Sequence, residues 1–255
     1  MGQRWPCARI ACQRTASLAL GVGLNQIAAA AVTAAPVAAI TNNWSGVYVG
    51  AHVGGAWQSA PDWTYFNPNN GATFSLTQSG NLGAAGGLQG GYNWQLAPSW
   101  LFGIEGDISW TSLGQTRAVP TIGPGSFATM SATNRWLASV RGRVGFIANT
   151  LLFYVTGGVA WANTEYNGHM TRIIDASTFV ADAASGITKA GWALGGGAEW
   201  MVDPHVMLRL EYLYYHLDND VALTGPISPG SFLPVTFIWS SYSVQVVRAG
   251  LSYKF

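Results

Sequence analysis

The chain has 255 residues, a formal net charge of +1 and only 9% charged residues, where an ordinary soluble domain carries about 25%. Apolar residues make up 49%, so much of the surface avoids water, and the near-neutral charge gives no electrostatic case for binding nucleic acid. Past residue 39 there is no run of about 18 apolar residues, which argues against a helical span and leaves a closed β-barrel as the structure that satisfies its backbone inside lipid.

The first 39 residues differ in kind from the rest. Arg4, Arg9 and Arg14 make a basic start, residues 16–35 are mostly small and apolar, and Val37-Ala38-Ala39 offers small residues before a cut. This pattern predicts a secretory signal peptide over 1–39, cleaved after Ala39, and a mature domain over 40–255. Its richness in Ala and Gly, and the strand-like sequence that follows, argue against an uncleaved anchor. Both cysteines, Cys7 and Cys12, lie in this segment, so the mature domain has no disulfide, thiolate metal site or cysteine nucleophile. Ile10-Ala11-Cys12 is shaped like a lipoprotein cleavage site but precedes the apolar stretch instead of following it.

From Trp44 onward the dominant period is two, the signature of strands. Eight segments follow, near 46–57, 82–94, 100–110, 135–146, 151–163, 189–200, 205–215 and the last residues to 255. One phase of each is apolar and suits lipid; the other is small or polar and suits a narrow interior. The third is the clearest: Trp100, Phe102, Ile104, Ile108 and Trp110 alternate with Gly103, Glu105, Asp107 and Ser109. In the first, Val47, Val49, Ala51 and Val53 alternate with Tyr48, Gly50, His52 and Gly54. In the seventh, Leu208, Leu210 and Tyr212 alternate with Arg209 and Glu211. The abundant Gly (32 residues), together with 12 Trp and 10 Tyr, fits a crowded lumen and interfacial rings.

The connections alternate in length. Short turns lie at 95–99, 147–150 and 201–204. Long connections at 58–81, 112–134, 164–188 and 216–241 are rich in Gly, Pro, Asn, Ser and Thr, and read as surface loops. Short turns on one side and long loops on the other match an eight-stranded antiparallel up-and-down barrel of an outer membrane, with both termini in the periplasm. A soluble sandwich is the rival; it would show charge on its polar phase, where this chain has mainly Gly and Ala.

The inward phase collects Glu105, Asp107, Glu199 and Glu211 with Arg141, Arg143, Arg209, Arg248 and Lys254. Buried charge is costly unless paired, so these nine residues are expected to form an interior charge network. An ion-paired plug is one reading, and a charged lining of a narrow channel for small solutes is the other. The plug is favoured because eight strands leave an interior just wide enough for side chains to fill. The arginines also argue against Glu105 and Asp107 as an acid–base pair.

The histidines His52, His169, His205 and His216 form no metal-ligand spacing, and no nucleophile elbow, zinc-protease or phosphate-loop motif occurs. The sequence therefore implies no cofactor, no metal and no catalytic residue. A lipid-modifying enzyme would need a Ser/His/acid set near the outer rim; His216 and neighbouring serines are its nearest approach. The final strand places Leu251, Tyr253 and Phe255 at alternating positions and resembles the C-terminal signal read by the barrel assembly machinery.

Several segments resemble one family. Asn43-Trp44-Ser45-Gly46-Val47-Tyr48-Val49-Gly50 is similar to the opening strand of the outer-membrane immunogenic proteins, and Gly87-Leu88-Gln89-Gly90-Gly91-Tyr92-Asn93-Trp94 to their second. Phe102-Gly103-Ile104-Glu105-Gly106-Asp107, the 136–145 segment, Tyr154-Val155-Thr156-Gly157-Gly158, Gly195-Gly196-Gly197-Ala198-Glu199 and Arg209-Leu210-Glu211-Tyr212 continue the likeness in order. The resemblance covers nearly all of the mature chain. It implies an eight-stranded barrel, similar to the membrane domain of outer-membrane protein A, abundant at the cell surface and with no known reaction. Expected partners are outer-membrane lipid and lipopolysaccharide, the assembly machinery, and an extracellular ligand held by the loops.

Overall fold

The computed structural model describes residues 43–59, 62–77, 79–120, 127–218, 220–230 and 232–255. The expected signal peptide and its cleavage site lie outside them. Among the described residues there are fourteen strands: β1 (Gly46–Gln58), β2 (Asp62–Asn67), β3 (Ala72–Thr77), β4 (Asn81–Ala97), β5 (Trp100–Thr111), β6 (Gly114–Pro120), β7 (Phe127–Ala148), β8 (Leu151–Ile174), β9 (Ser177–Asp203), β10 (Val206–Leu217), β11 (Val221–Gly225), β12 (Ile227–Ser228), β13 (Val235–Trp239) and β14 (Tyr242–Lys254).

Eight of them close a ring. β1, β4, β5, β7, β8, β9, β10 and β14 pair in that order, all antiparallel, and β14 returns to β1. The alternation read from sequence sets the faces. Tyr48, Asn93, Glu105, Arg141 and Arg248 are buried inside, while Val49, Ile104, Val155, Leu210 and Leu251 are exposed outside. Exposure of so many large apolar side chains is intelligible only against lipid. Aromatic rings flank the belt. Trp94 stacks on Phe102 and Trp100 meets Phe146 at the turn side, while Trp192 meets Tyr214 and Trp57 meets Tyr212 at the other.

Tight curvature explains the glycines. On the inner wall neighbouring backbones crowd together, and a methyl group on Gly54 would lie 2.0 Å from the Val247 carbonyl oxygen. On Gly158 it would lie 2.1 Å from that of Val140, and on Gly195 2.1 Å from that of Tyr212. A small barrel needs such positions empty so that the charged side chains have room.

The long connections depart from expectation: they are rich in strands. β8 has 24 residues and β9 has 27, whereas about 9–11 suffice for a tilted crossing. Their outer halves, with the start of β7 and with β6, rise past the aromatic ring as a blade. β2, β3, β11 and β13 form a separate four-stranded sheet in the order β11-β13-β2-β3. It packs on the blade through Trp63, Tyr65, Phe237, Trp239, Met130 and Met170, forming an apolar cap core. The loop reading failed because polar Thr, Ser and Asn fill the solvent phase and hide the apolar alternation beneath. The β8–β9 turn also lacks glycine: Asp175 and Ala176 take positive φ of 47° and 62°, an arrangement that glycine or asparagine usually signals.

Candidate functional site

The lumen is filled in three layers. On the short-turn side lies an apolar floor of Trp44, Leu101, Ile147, Leu152, Met201 and Met207, with Tyr48 and Tyr154 above it. Toward the cap lies an apolar ceiling that includes Leu113, Leu137, Leu213, Tyr215, Val244 and Val246. Over the ceiling, the Tyr242 hydroxyl bonds Thr164 Oγ1 at 2.7 Å and accepts from Asn134 Nδ2 at 3.2 Å. Between floor and ceiling sit eight ions.

Strand register creates the ion cluster. Glu105 lies directly opposite Arg141, Glu199 opposite Arg209, and Glu211 opposite Arg248. Arg141 also crosses the lumen. It holds Glu105 at 2.7 Å, Asp107 at 2.9 Å and Glu211 at 3.2 Å. Arg143 reaches Glu199 at 2.7 Å, and Arg209 lies 2.6 Å from both Glu105 and Glu199. Arg248 joins Glu211 at 2.6 Å and Asp107 at 2.9 Å. Four carboxylates thus face four guanidinium groups, all almost fully buried. Arg209 meets its carboxylates by charge more than by aligned hydrogen bonds, since none of its nitrogens has a well-directed partner.

Polar neighbours complete the cluster. Tyr48 donates to Glu105 at 2.5 Å, Tyr154 to Glu211 at 2.9 Å and Ser139 to Asp107 at 2.5 Å. Asn93 Oδ1 accepts from Arg143 Nη2 at 2.7 Å. The Arg143 guanidinium lies 4.9 Å from the Tyr48 ring centroid and 5.1 Å from that of Tyr154. Sequence reasoning put Tyr48 on the inner phase without giving it a role, and named Asn93, which the structure buries inside, within a strand motif, again without a role. Their signal was a phenol and an amide on a face otherwise made of glycine and charge.

Lys254 must be removed from the network. It lies at the floor, its ammonium donating to the Asn43 carbonyl, and no carboxylate meets it among the described residues. The reason is depth: Lys254 comes six residues after Arg248 on β14, beyond the layer of acids. Leu251, Tyr253 and Phe255 project outward near the aromatic ring on the short-turn side, with Tyr253 and Phe255 in edge contact at 5.1 Å.

Two serine–histidine arrangements stand out. Inside, Ser109 Oγ is 2.8 Å from His52 Nε2, and His52 Nδ1 is 3.0 Å from Gln89 Oε1. However, Arg248 Nη1 also lies 3.2 Å from His52 Nε2, so the lone pair that would accept a serine proton is shared, and packed side chains leave no path for substrate. At the outer rim, His216 is 2.9 Å from Asp218 and pairs in register with Ser243. Among the described residues no hydrogen bond joins that serine to the histidine. His169 pairs with Asp182 at 2.6 Å on the blade, and His205 sits in a turn beside Tyr253.

Residues 27–255 match the family described as outer membrane protein beta-barrel domain. The 31 kDa outer-membrane immunogenic protein of Brucella melitensis is 32% identical over 228 residues, 88% of each chain. The 25 kDa outer-membrane immunogenic protein of Brucella abortus is 24% identical over 214 residues, 84% of this chain and 80% of its own. The 22 kDa outer membrane protein of Rhizobium leguminosarum is 27% identical over 209 residues, 77% of this chain and 80% of its own.

Proposed function

The chain belongs to the outer-membrane β-barrel family, and on that premise we propose that it is a sealed structural barrel which carries a folded cap at the cell surface. Its place is the Gram-negative outer membrane, as for its relatives. One observation carries the sealed reading: the charge cluster is compensated four against four and lies between two apolar layers. Water and ions would have to cross the floor and the ceiling as well as break the ion pairs. Each step is costly, because an uncompensated buried charge is penalised by several kcal/mol, about 3–5 by partner removal.

The protein acts without catalysis in this reading. The buried Ser109–His52 contact lacks access, the His216–Asp218 pair lacks an activated serine, and the Brucella relatives are named outer-membrane immunogenic proteins. Residues 1–39 serve as the export signal. Leu251, Tyr253 and Phe255 present the assembly machinery with its recognition edge, and the aromatic rings and apolar belt contact lipid and lipopolysaccharide.

Planar-bilayer recording of the refolded mature protein tests the sealed lumen. Folding is first verified by heat-modifiable mobility on gels. The expected result is a folded barrel without discrete openings; steady single-channel steps would replace this reading with a narrow solute channel.

A further inference from the structure

β3 is an edge of the cap sheet: among the described residues it pairs with β2 and with no strand on its other side. Its segment, Ala72-Thr73-Phe74-Ser75-Leu76-Thr77, carries no charge, proline or bulge. Those are the devices that ordinarily keep an exposed edge from recruiting another chain. Phe74 and Leu76 pack toward the cap core, while Thr73 and Ser75 face solvent.

Arg172 on β8 supplies an independent observation. It is half-buried, and among the described residues no carboxylate or hydrogen-bond acceptor meets its guanidinium. Arg135 and the four lumen arginines all have carboxylates. Two narrow crevices flank Arg172. One is lined by Tyr65, Asn67, Ala72, Phe74 and Met170, so β3 forms part of its wall. The other is lined by Ile174, Phe179, Ile227 and Phe232.

We propose that the β3 edge and Arg172 form a docking site for an extended acidic peptide of a partner protein, which adds to the cap sheet as a fifth strand. The free backbone groups of β3 supply the ladder, and alternate peptide side chains continue the row of Phe74 and Leu76. One aspartate or glutamate in that row lies over the mouth of the crevice beside Ala72 and Phe74 and pairs with the half-buried Arg172. Charge selects this occupant. A second copy of β3 brings no acid to Arg172, and a lipid brings no backbone to the edge. The proposal rests on the cap standing outside the membrane.

The test uses the full mature chain refolded in detergent and a fluorescent hexapeptide, acetyl-Val-Thr-Asp-Thr-Val-Thr-amide, with counterparts carrying Asn or Lys at the acidic position. Affinity is read by anisotropy, and hydrogen exchange is read over residues 72–77. The Asp peptide binds tighter than the Lys peptide by about tenfold or more, it protects β3, and Arg172→Gln lowers its affinity about tenfold. Arg172→Lys retains part of that affinity. Equal binding of the three peptides, an unchanged affinity in Arg172→Gln, protection elsewhere, or no binding at millimolar peptide overturns the proposal. So does Arg172-dependent binding of galacturonic acid without β3 protection, which makes this a saccharide site. Concentration-dependent protection of β3 without peptide makes it a self-interface and overturns it too. Trypsin treatment of intact cells reads the cap's placement separately: a cap shielded from outside sinks the surface reading while leaving the measured peptide site intact.

Discussion

The lumen and the cap share the continuous strands β7, β8 and β9, to which the cap adds its own four-stranded sheet, but the two regions are inside out relative to each other. In the lumen the buried core holds eight charges and the outer face is apolar; in the cap the core is apolar and the outer face is polar. β8 shows the change along one face. Phe153, Val155, Val159 and Trp161 point outward in the barrel, and the same phase continues as Asn163, Glu165, Asn167 and His169 on the blade. The switch after Trp161 marks where the surroundings change from lipid to water. β7 adjusts by another device: a register shift between Asn134 and Trp136 lets Leu137 and Asn134 both face inward. The comparison teaches that period two fixes which residues share a face, while the surrounding solvent decides which face is polar.

Four substitutions sharpen or break this contrast. The largest effect is expected for Arg141→Leu, which leaves four carboxylates facing three guanidinium groups in a dry interior and should cost about 3–5 kcal/mol. Urea unfolding followed by tryptophan fluorescence reads it; an unchanged midpoint would mean that water reaches the cluster. Phe237→Ala opens the cap core between Tyr65, Trp239 and Gly168, at about 3–5 kcal/mol on large-to-small precedent. Limited proteolysis should then cut the cap while the heat-modifiable barrel band persists. Loss of both together would show the two regions to be one cooperative unit.

On the lipid side, Val155→Arg is expected to cost about 2–4 kcal/mol near the bilayer midplane. Refolding yield into vesicles of increasing chain length checks it, and tolerance would place Val155 near an interface. The smallest effect belongs to Arg135→Ala. The Arg135–Glu165 pair is 2.5 Å apart yet both side chains are about half exposed, so its removal should leave stability almost unchanged. A double-mutant cycle with Glu165→Ala measures that coupling directly. A coupling as large as that of Glu105 with Arg141 would erase the distinction between wet and dry ion pairs.

Eight membrane strands, their faces and the members of the ion cluster except Lys254 could be read in the chain, because strand periodicity is local and a closed barrel converts phase directly into inside or outside. Pairing partners across the lumen were less legible. Glu105 opposite Arg141 follows from adjacency, but Arg141 with Glu211 and Arg143 with Glu199 depend on how far guanidinium groups reach across a narrow ring. Lys254 was misassigned for the same reason, since phase gives the face and says nothing of depth. The cap escaped notice because β2, β3, β11 and β13 are short, and their shared core with β7, β8 and β9 unites residues far apart in sequence, such as Trp63, Met170 and Trp239.

The sequence by itself determined the alternation, the small inner residues and the balance of buried charge, since each is a property of neighbouring positions along one strand. Only the tertiary structure decided which ions meet, that two apolar layers shut the lumen, and that the long connections fold into a cap. Those outcomes arise from curvature and layer stacking, which bring together side chains that no local pattern relates.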